Sequence, residues 1–299
     1  MSVESFIGIG DRLQPSAAAI LRRRVFGHTT FVFGAGTLAF ILLVALNASW
    51  LAPHDPYAQN LAQRLIPPIW SAQGSWSHVL GTDQLGRDYL SRVIYGTRIS
   101  LLIGTAAMAM SGLIGTTLGV LAGYFGGRVD LAINFVITTR LAMPIILVAL
   151  AVAALAGSSL ENVILVLGLL LWDRFAVVTR SVTLQVRGLD YIAAAHAVGC
   201  SSFRVVASEI LPNILNAIIV VATLEMANAI LLEAALSFLG VGVPSPLPSW
   251  GLMIAEGKEY MFFSPWVITV PGLALFTLVL AINLLGDGVR DLTAPESRA

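Results

Sequence analysis

Residues 99–127 decide the fold; they read ISLLIGTAAMAMSGLIGTTLGVLAGYFGG and contain no charged side chain. A helix needs about 20 apolar residues to cross the hydrocarbon core of a bilayer, which is about 30 Å thick. The uncharged stretch between Arg98 and Arg128 is longer than this requirement. It therefore predicts a transmembrane helix.

The composition of the whole chain extends this prediction. Of the 299 residues, 57% are hydrophobic and 11% are charged, and the mean hydropathy is +0.85. Soluble domains typically carry about 25% charged residues, so a soluble globular enzyme and a disordered chain are both excluded. Seventeen basic residues balance seventeen acidic ones, which leaves no field that would attract nucleic acid. We therefore expect an all-α protein embedded in the lipid bilayer.

Five further stretches with few charges bring the predicted number of transmembrane helices to six. They are residues 29–51, 141–160 (with an earlier start near Leu131 left open), 162–179, 214–239 and 266–285. Asp173 and Arg174 interrupt the fourth helix, and Glu225 and Glu233 lie in the fifth. The predicted organisation is a cytoplasmic segment 1–28, a first helix 29–51, an outer segment 52–97, a five-helix core 98–287 and a cytoplasmic tail 288–299.

Basic residues near the helix ends predict the orientation, because they are enriched on the cytoplasmic side. With the N-terminus inside, the inner segments hold Arg12, Arg22, Arg23, Arg24, Arg128, Arg180, Arg187, Arg204, Arg290 and Arg298. The outer segments hold Arg64, Arg87, Arg92, Arg98 and Lys258. We expect a multi-pass protein of the inner or plasma membrane with both termini in the cytoplasm. The uncharged stretch after Arg24 exceeds a signal-peptide core, which favours an uncleaved first helix.

Two segments outside the membrane each allow two interpretations. Residues 81–92 in the outer segment alternate in charge, so Asp83 and Asp88 can pair with Arg87 or Arg92; this predicts a solvated helix at the interface or a docking surface. Residues 181–212 form an inner loop, in which Gly199 separates two short helices and Leu211-Pro212-Asn213 turns the chain into the fifth span. The inner loop is either an amphipathic connection or a segment that docks in a partner's groove.

Catalytic and metal-binding signatures are absent from the sequence. The only lysine, Lys258, lies in a glycine pattern that is one residue too long for a phosphate loop, so the chain is not expected to bind ATP. No Cys/His cluster has metal-ligand spacing, and no metal site is predicted. Ionisable side chains within a membrane usually face a bundle interior or an aqueous path. Glu225 and Glu233 are therefore candidates for one side of a translocation path, with a buried pair between Glu225 and Arg140 or Arg174 as the alternative.

Five motifs follow one another in order from about residue 50 to the C-terminus. They are GTDQLGRD at 81–88, DYIAAAHAVG at 190–199 followed by Leu211-Pro212-Asn213, EAALSFLG at 233–240, PSWG at 248–251 and NLLGDGVRD at 283–291. Together they resemble the C-type permease subunit of ABC importers of the oligopeptide/dipeptide family. The run at 190–199 is similar to the EAA loop of such permeases. The first residue of that triplet is usually glutamate and is Ala193 here, whereas the glycine, Gly199, is retained.

The resemblance implies a type I ABC-importer permease fold, with an N-terminal helix followed by a five-helix core, and a transport subunit that is not an enzyme. The implied partners are a homologous B-type permease, two cytoplasmic ATPase subunits or one fused ATPase chain, and an extracytoplasmic solute-binding protein. ATP and magnesium would be bound by the ATPases, and this chain would hold no cofactor. The residues implied to couple to the ATPases are Tyr191, Ala193, Ala194, Ala195, Gly199, Leu211, Pro212 and Asn213.

The resemblance also groups residues on the outer side. We expect Asp83, Arg87, Asp88 and Trp250 to shape the outer mouth or to support docking of the binding protein. The expected cargo is a di- or oligopeptide, and nickel, glutathione or another small solute is the alternative within the same architecture. A membrane enzyme or a respiratory subunit is a more remote alternative.

Overall fold

The computed structural model describes residues 25–293, and this part of the chain is helical without a β-strand. Arg12, Arg22, Arg23, Arg24 and Arg298 lie outside the described residues, as do most of segment 1–28 and half of the tail 288–299. The helices are α1 (Thr29–Leu46), α2 (Ala48–Leu51), α3 (Tyr89–Phe125), α4 (Gly127–Leu141), α5 (Ile145–Ala156), α6 (Leu160–Leu170), α7 (Trp172–Arg187), α8 (Asp190–Ala197), α9 (Ser202–Val205), α10 (Leu211–Phe238), α11 (Trp250–Gly257) and α12 (Trp266–Thr293).

Five helical stretches are long and apolar enough to cross a membrane. They are Thr29–Leu46, Tyr89–Phe125, Leu160–Arg187, Ser202–Phe238 and Trp266–Thr293. The pair α4–α5 supplies a sixth when the two bent helices are counted as one span. The predicted all-α membrane architecture is confirmed, and the number of spans agrees with the predicted six on that condition.

The predicted third span, residues 141–160, is broken. α4 ends at Leu141, α5 begins at Ile145, and the two helices are bent by 89°. Pro144 causes the break, because it has no backbone N–H to donate and caps α5 in an extended conformation. α5 is only 12 residues long, which is too short to cross a bilayer alone.

The fourth span is longer than predicted, because α6 and α7 follow each other with only Leu171 between them. It extends to Arg187 instead of ending near Thr179. Asp173 does not interrupt it: the residue lies in the first turn of α7 and is buried. An acidic side chain at that position is favourable, because it faces the positive end of the helix dipole.

α3 is the central helix and makes its most extensive contact with α7. Gly115, Gly119 and Gly123 are four residues apart and share one face of α3. A Cβ atom at Gly119 would lie 2.5 Å from the carbonyl oxygen of Ala176, and one at Gly123 would lie 2.8 Å from that of Arg180. The two backbones therefore approach closely, as in other small-residue interfaces between membrane helices.

The outer segment does not form the helix predicted for residues 81–92. The chain is irregular up to Asp88, and α3 begins only at Tyr89. Gly81 and Gly86 adopt φ values of +79° and +72°, which lie in the left-handed region that interrupts a right-handed helix. Asp83, Arg87 and Asp88 therefore lie in a folded turn, and Arg92 lies in the first turns of α3.

The inner loop contains the predicted break but not the predicted second turn. α8 ends at Ala197 and Gly199 has a φ of +84°. By contrast, α9 continues through a π-helical stretch, Val206–Ile210, directly into α10. The backbone N–H of Leu211 donates to the carbonyl of Val206, five residues earlier, and this wider turn accommodates Pro212 without ending the helix. The predicted turn at Leu211-Pro212-Asn213 is therefore wrong.

Candidate functional site

A cavity of about 480 Å³ lies beside the middle of α10, between that helix, the α4–α5 bend and the junction of α6 with α7. Its apolar wall includes Met143, Ile145 and Ile146 from the bend and Leu231 and Leu232 from α10. The polar residues that line it are Arg140, Asp173, Arg174, Glu225 and Asn228. The helix break at Pro144 thus forms part of the cavity wall.

Glu225 forms the predicted pair with Arg174 and also lines the cavity. Its Oε1 atom lies 3.5 Å from Nη1 of Arg174 and accepts a hydrogen bond of 3.2 Å from Nδ2 of Asn228. The residue is buried and lines the cavity, while 63% of the Arg174 side chain is exposed. The ion pair is therefore long and lies at an accessible surface, and it does not close off the cavity.

Two buried polar atoms of the cavity-lining side chains have no hydrogen-bond partner among the described residues. They are Oε2 of Glu225 and Nε of Arg140. The Nη2 atom of Arg140 donates to the carbonyl oxygen of Leu170 at 2.7 Å, which anchors the guanidinium at the α6–α7 junction. Buried polar groups are normally hydrogen-bonded, so these two atoms are available to a polar ligand or to water.

Glu233 does not line this cavity, and the prediction that it shares one with Glu225 is wrong. Its Oε1 atom accepts hydrogen bonds from the hydroxyl groups of Ser237, at 2.7 Å, and Ser249, at 2.9 Å. The residue is buried where α10 meets α11, and a Cβ atom at Gly251 would lie 2.8 Å from its Oε2. Glu233 therefore joins α10 to the start of α11.

A second charged cluster lies at the start of α3, and it is buried instead of solvated. Arg87 donates from Nε to Oδ2 of Asp83 at 2.6 Å and from Nη2 to Oε2 of Glu256 at 3.0 Å. Arg92 donates from Nη2 to the same oxygen of Glu256 at 2.9 Å, and its Nη1 lies 3.4 Å from Asp83. The predicted pairing of Asp83 with both arginines is confirmed, whereas Asp88 pairs with neither.

Trp250 and Asp88 are also buried. The indole Nε1 of Trp250 donates to the carbonyl oxygen of Val93 at 3.0 Å, and Asp88 caps α3 by accepting from the backbone N–H of Ser91 at 2.9 Å. All four side chains predicted for the outer mouth are thus in the protein interior. Because they are buried, these side chains offer no exposed surface to a docked protein.

The inner loop has one packed face and one exposed face. Ile192, Val205 and Ile210 are buried against the end of α3, and Ala195 packs against the same cluster. On the other face, Ala193 and Ala194 are exposed, as are Val198 (80%) and Phe203 (84%). Nδ2 of Asn213 lies 3.3 Å from the hydroxyl group of Tyr191, which links the two ends of the loop.

Sequence reasoning missed several residues of these clusters. Glu256 lies 169 residues from Arg87, so no local spacing connects them, although two buried arginines opposite a single aspartate would have demanded another acidic partner. Asn228 is three residues after Glu225, and this spacing on a helix was a usable signal. His54 and His78 show no metal-ligand spacing in the sequence, although their rings approach each other in the outer segment, with centroids 4.9 Å apart.

Comparison with known families gives two matches along the chain. Residues 115–298 match the family described as binding-protein-dependent transport system inner membrane component. Residues 16–68 match the N-terminal transmembrane domain of oligopeptide transport permease C. The first match alone covers more than half of the chain.

Individual relatives cover nearly all of the chain. The dipeptide transport system permease protein DppC of Escherichia coli is 42% identical over 265 residues, covering 89% of this chain and 88% of that protein. The protein of the same name from Haemophilus influenzae is 40% identical, covering 87% and 89%. The di/tripeptide transport system permease protein DppC of Pseudomonas aeruginosa is 40% identical, covering 91% and 90%. An inward-facing structure of the MetNI methionine ABC transporter aligns with a TM-score of 0.56 and 20% identity, covering 68% of this chain and 97% of that chain.

Proposed function

Because this chain belongs to the family of binding-protein-dependent transport system inner membrane components, we propose that it forms one half of the translocation path of an ATP-driven importer of di- and oligopeptides. Membership makes the chain a transport permease and not an enzyme, so the alternative of a membrane enzyme or respiratory subunit is wrong. The likeness to MetNI confirms the predicted type I ABC-importer permease fold.

The composition of the α10 cavity supports a peptide as the cargo. Two basic side chains, Arg140 and Arg174, face two acidic ones, Asp173 and Glu225, in a space of about 480 Å³. A free peptide carries one ammonium and one carboxylate group whatever its side chains are, and a lining with both signs of charge is complementary to both ends. This is the observation that carries the proposal.

The same lining argues against nickel as the cargo. Imidazole is a ligand that suits nickel, and no histidine is among the described residues that line the cavity. Glutathione carries one ammonium and two carboxylate groups, as an acidic peptide does, so its exclusion is left to the uptake test. The Arg174 side chain is 63% exposed, so this charged lining is accessible from outside the chain.

The inner loop supports the proposed coupling to ATPases. Its exposed face, with Ala193, Ala194, Val198 and Phe203, is apolar and has little side-chain bulk at the alanines. Such a face suits a hydrophobic groove on a cytoplasmic partner. We assign ATP and magnesium to two ATPase subunits, or to one fused chain, and the delivery of peptide to an extracytoplasmic binding protein. A homologous B-type permease completes the path, and both termini are cytoplasmic.

Replacement of Glu225 tests the path assignment. Glu225→Gln removes the charge but keeps the hydrogen-bonding shape, so uptake of a labelled dipeptide should fall at least about tenfold if the charge faces the cargo, with membrane abundance unchanged. Glu161→Gln is the matched control, since Glu161 is an exposed residue at the start of α6. Loss of membrane abundance together with uptake would instead make Glu225 a structural partner of Arg174.

The cargo is tested separately from the path. A deletion strain complemented with the wild-type transporter should take up labelled dipeptides, and unlabelled dipeptides should compete, whereas nickel and glutathione should not. ATP-dependent uptake of nickel or glutathione without competition by dipeptides would overturn the peptide assignment and leave the permease assignment standing.

A further inference from the structure

Two histidines and one carboxylate meet in the outer segment, apart from the translocation cavity. Nδ1 of His78 lies 2.8 Å from Oδ1 of Asp88, and Nδ1 of His54 lies 3.6 Å from the same oxygen. The ligand atoms of the three side chains all lie within 4.8 Å of one another. We propose that His54, His78 and Asp88 form a binding site for a divalent transition-metal ion such as zinc.

The carboxylate of Asp88 is divided between two tasks. Its Oδ2 atom accepts hydrogen bonds from the backbone N–H of Ser91 at 2.9 Å and from the hydroxyl group of that residue at 2.7 Å. These bonds hold the carboxylate at the start of α3, while Oδ1 faces the two imidazoles. The hydrogen bonds to Oδ2 therefore fix the carboxylate so that Oδ1 is positioned to bind a metal ion.

A chain of hydrogen bonds determines the tautomer of His78. The side-chain oxygen of Asn60 accepts from the backbone N–H of Ala62 at 3.2 Å, so the amide nitrogen of Asn60 is the group that donates to Oε1 of Gln63 at 3.0 Å. Oε1 of Gln63 in turn lies 3.3 Å from Nε2 of His78. Since a carbonyl oxygen only accepts, Nε2 carries the proton. A metal-binding histidine typically donates its remote N–H to an oxygen in this way.

The second nitrogen of His78 then demands a cation. With the proton on Nε2, the neutral ring presents the lone pair of Nδ1 to the carboxylate oxygen at 2.8 Å. Two lone pairs at this distance repel each other unless a positive charge lies between them, and that charge is either a second proton or a metal ion. The nearby Nδ1 of His54 favours a metal ion, because a proton shared by His78 and Asp88 needs no third electron-pair donor.

The spacing and accessibility fit a zinc ion. Ligand atoms bound at about 2.1 Å in a tetrahedral site lie about 3.4 Å apart, which falls between the 2.8 Å and 3.6 Å that separate Oδ1 of Asp88 from the two imidazole nitrogens. The His54 side chain is 43% exposed, so an ion has an entry route from solvent. The backbone N–H of His54 donates to the hydroxyl group of Ser91 at 3.1 Å, which ties this ligand to the same helix end.

Such a site would connect three separate parts of the outer segment, residues 54, 78 and 88. The sequence concealed it, because the three ligands are spread over 34 positions (88 − 54 = 34) without a recognisable spacing. The ion would hold the otherwise irregular chain against the start of α3, and binding would stabilise the folded state. The inference is independent of the cargo.

Zinc binding by the purified full-length chain, carried on a tag without histidine, tests the proposal. We expect one zinc ion per chain after dialysis, a higher melting temperature with zinc, and d–d absorption when cobalt replaces zinc. His54→Ala should lower the zinc affinity at least about tenfold and abolish the thermal shift, and the exposed position of His54 allows this variant to fold. His196→Ala, in the inner loop, is the matched control and should bind zinc like the wild type.

Two results would overturn the metal site. One is the absence of stoichiometric zinc from the wild-type chain, which would identify the cluster as a proton-bridged pair of His78 and Asp88. The other is a zinc affinity, or a thermal shift with zinc, that is equal in the wild type and in His54→Ala. Either observation would place the ion elsewhere.

Discussion

At the scale of single residues, four buried or half-buried charges at the start of α3 depend on one another. Arg87 and Arg92 are fully buried, and among residues 25–293 their positive charges are balanced only by Asp83 and Glu256. Removing one partner of a buried ion pair leaves an uncompensated charge in the protein interior and costs about 3–5 kcal/mol. Each acidic side chain is therefore required to keep both arginines in place.

Asp83→Asn is expected to destabilise the protein and not merely to weaken a contact with a partner. The amide keeps the size of the side chain but leaves two buried arginines with one carboxylate, so the melting temperature in detergent and the membrane abundance should both fall. Glu259→Gln is the matched control, because Glu259 is exposed on the same side of the molecule. Normal stability of Asp83→Asn combined with weaker binding of the solute-binding protein would restore the docking role predicted from the sequence.

The residues of this cluster show how far sequence reasoning reaches. Asp83, Arg87 and Arg92 were predicted to pair because they lie within one short run, and the structure confirms that pairing. Their burial was not predicted, because alternating charges usually indicate a solvated face. Burial here depends on α11, which brings Glu256 to the same place from 164 residues further along the chain.

At the scale of elements, two prolines in apolar runs have opposite effects. Pro144 breaks the third span by 89°, while Pro212 lies in the first turn of a helix that continues unbroken. The difference lies in the residues before Pro212. In the π-helical stretch Val206–Ile210, the backbone hydrogen bond to Leu211 joins residues five positions apart. The sequence predicts a turn at Pro212 and none at Pro144, because hydrophobic patterning does not indicate which hydrogen bonds the backbone makes.

The inner loop is a second element whose orientation the structure defines. Ala195 packs against the cluster formed by the end of α3, whereas Ala194 is exposed. A large side chain at Ala195 would disturb this chain itself, so it cannot report on a partner. Ala194 is the position at which steric bulk would act on a docked ATPase alone.

Ala194→Trp should therefore uncouple the importer without unfolding the permease. We expect membrane abundance near that of the wild type, dipeptide uptake reduced at least about tenfold if the groove excludes the ring, and less ATPase in the copurified complex or less peptide-stimulated ATP hydrolysis. Ala72→Trp is the control, since Ala72 is also exposed but lies in the outer segment. Unchanged uptake and unchanged ATPase stimulation in Ala194→Trp would contradict the coupling role of this loop.

At the scale of the whole molecule, α3 connects the two proposed interaction surfaces. Its 37 residues extend over about 55 Å at 1.5 Å per residue, which exceeds the hydrocarbon core of about 30 Å. The buried charge cluster and the histidine pair lie at its start, and the inner loop packs at its end. Between these two ends of α3, Gly115, Gly119 and Gly123 pack the helix closely against α7.

Single cysteines in the outer segment and in the inner loop test the membrane orientation and the partners together. In a Cys200→Ser background, which removes the only native cysteine, Ala72→Cys places a thiol on the exposed outer segment and Ala194→Cys places one on the exposed inner loop. A membrane-impermeant maleimide should label the Ala72→Cys variant in intact spheroplasts and the Ala194→Cys variant only after permeabilisation. The opposite labelling would invert the topology predicted from the basic residues.

The same two thiols distinguish the partners, because a short cross-linker reaches only what is docked nearby. The thiol of Ala72→Cys should cross-link to the solute-binding protein when peptide is present, and that of Ala194→Cys should cross-link to the ATPase. Exposed positions are needed for this, since Asp88 and Trp250 are buried and present no side chain to a partner. If the thiol of Ala72→Cys reacted only with the companion permease, the outer segment would be an intersubunit surface, and binding-protein docking would have to occur elsewhere on the complex.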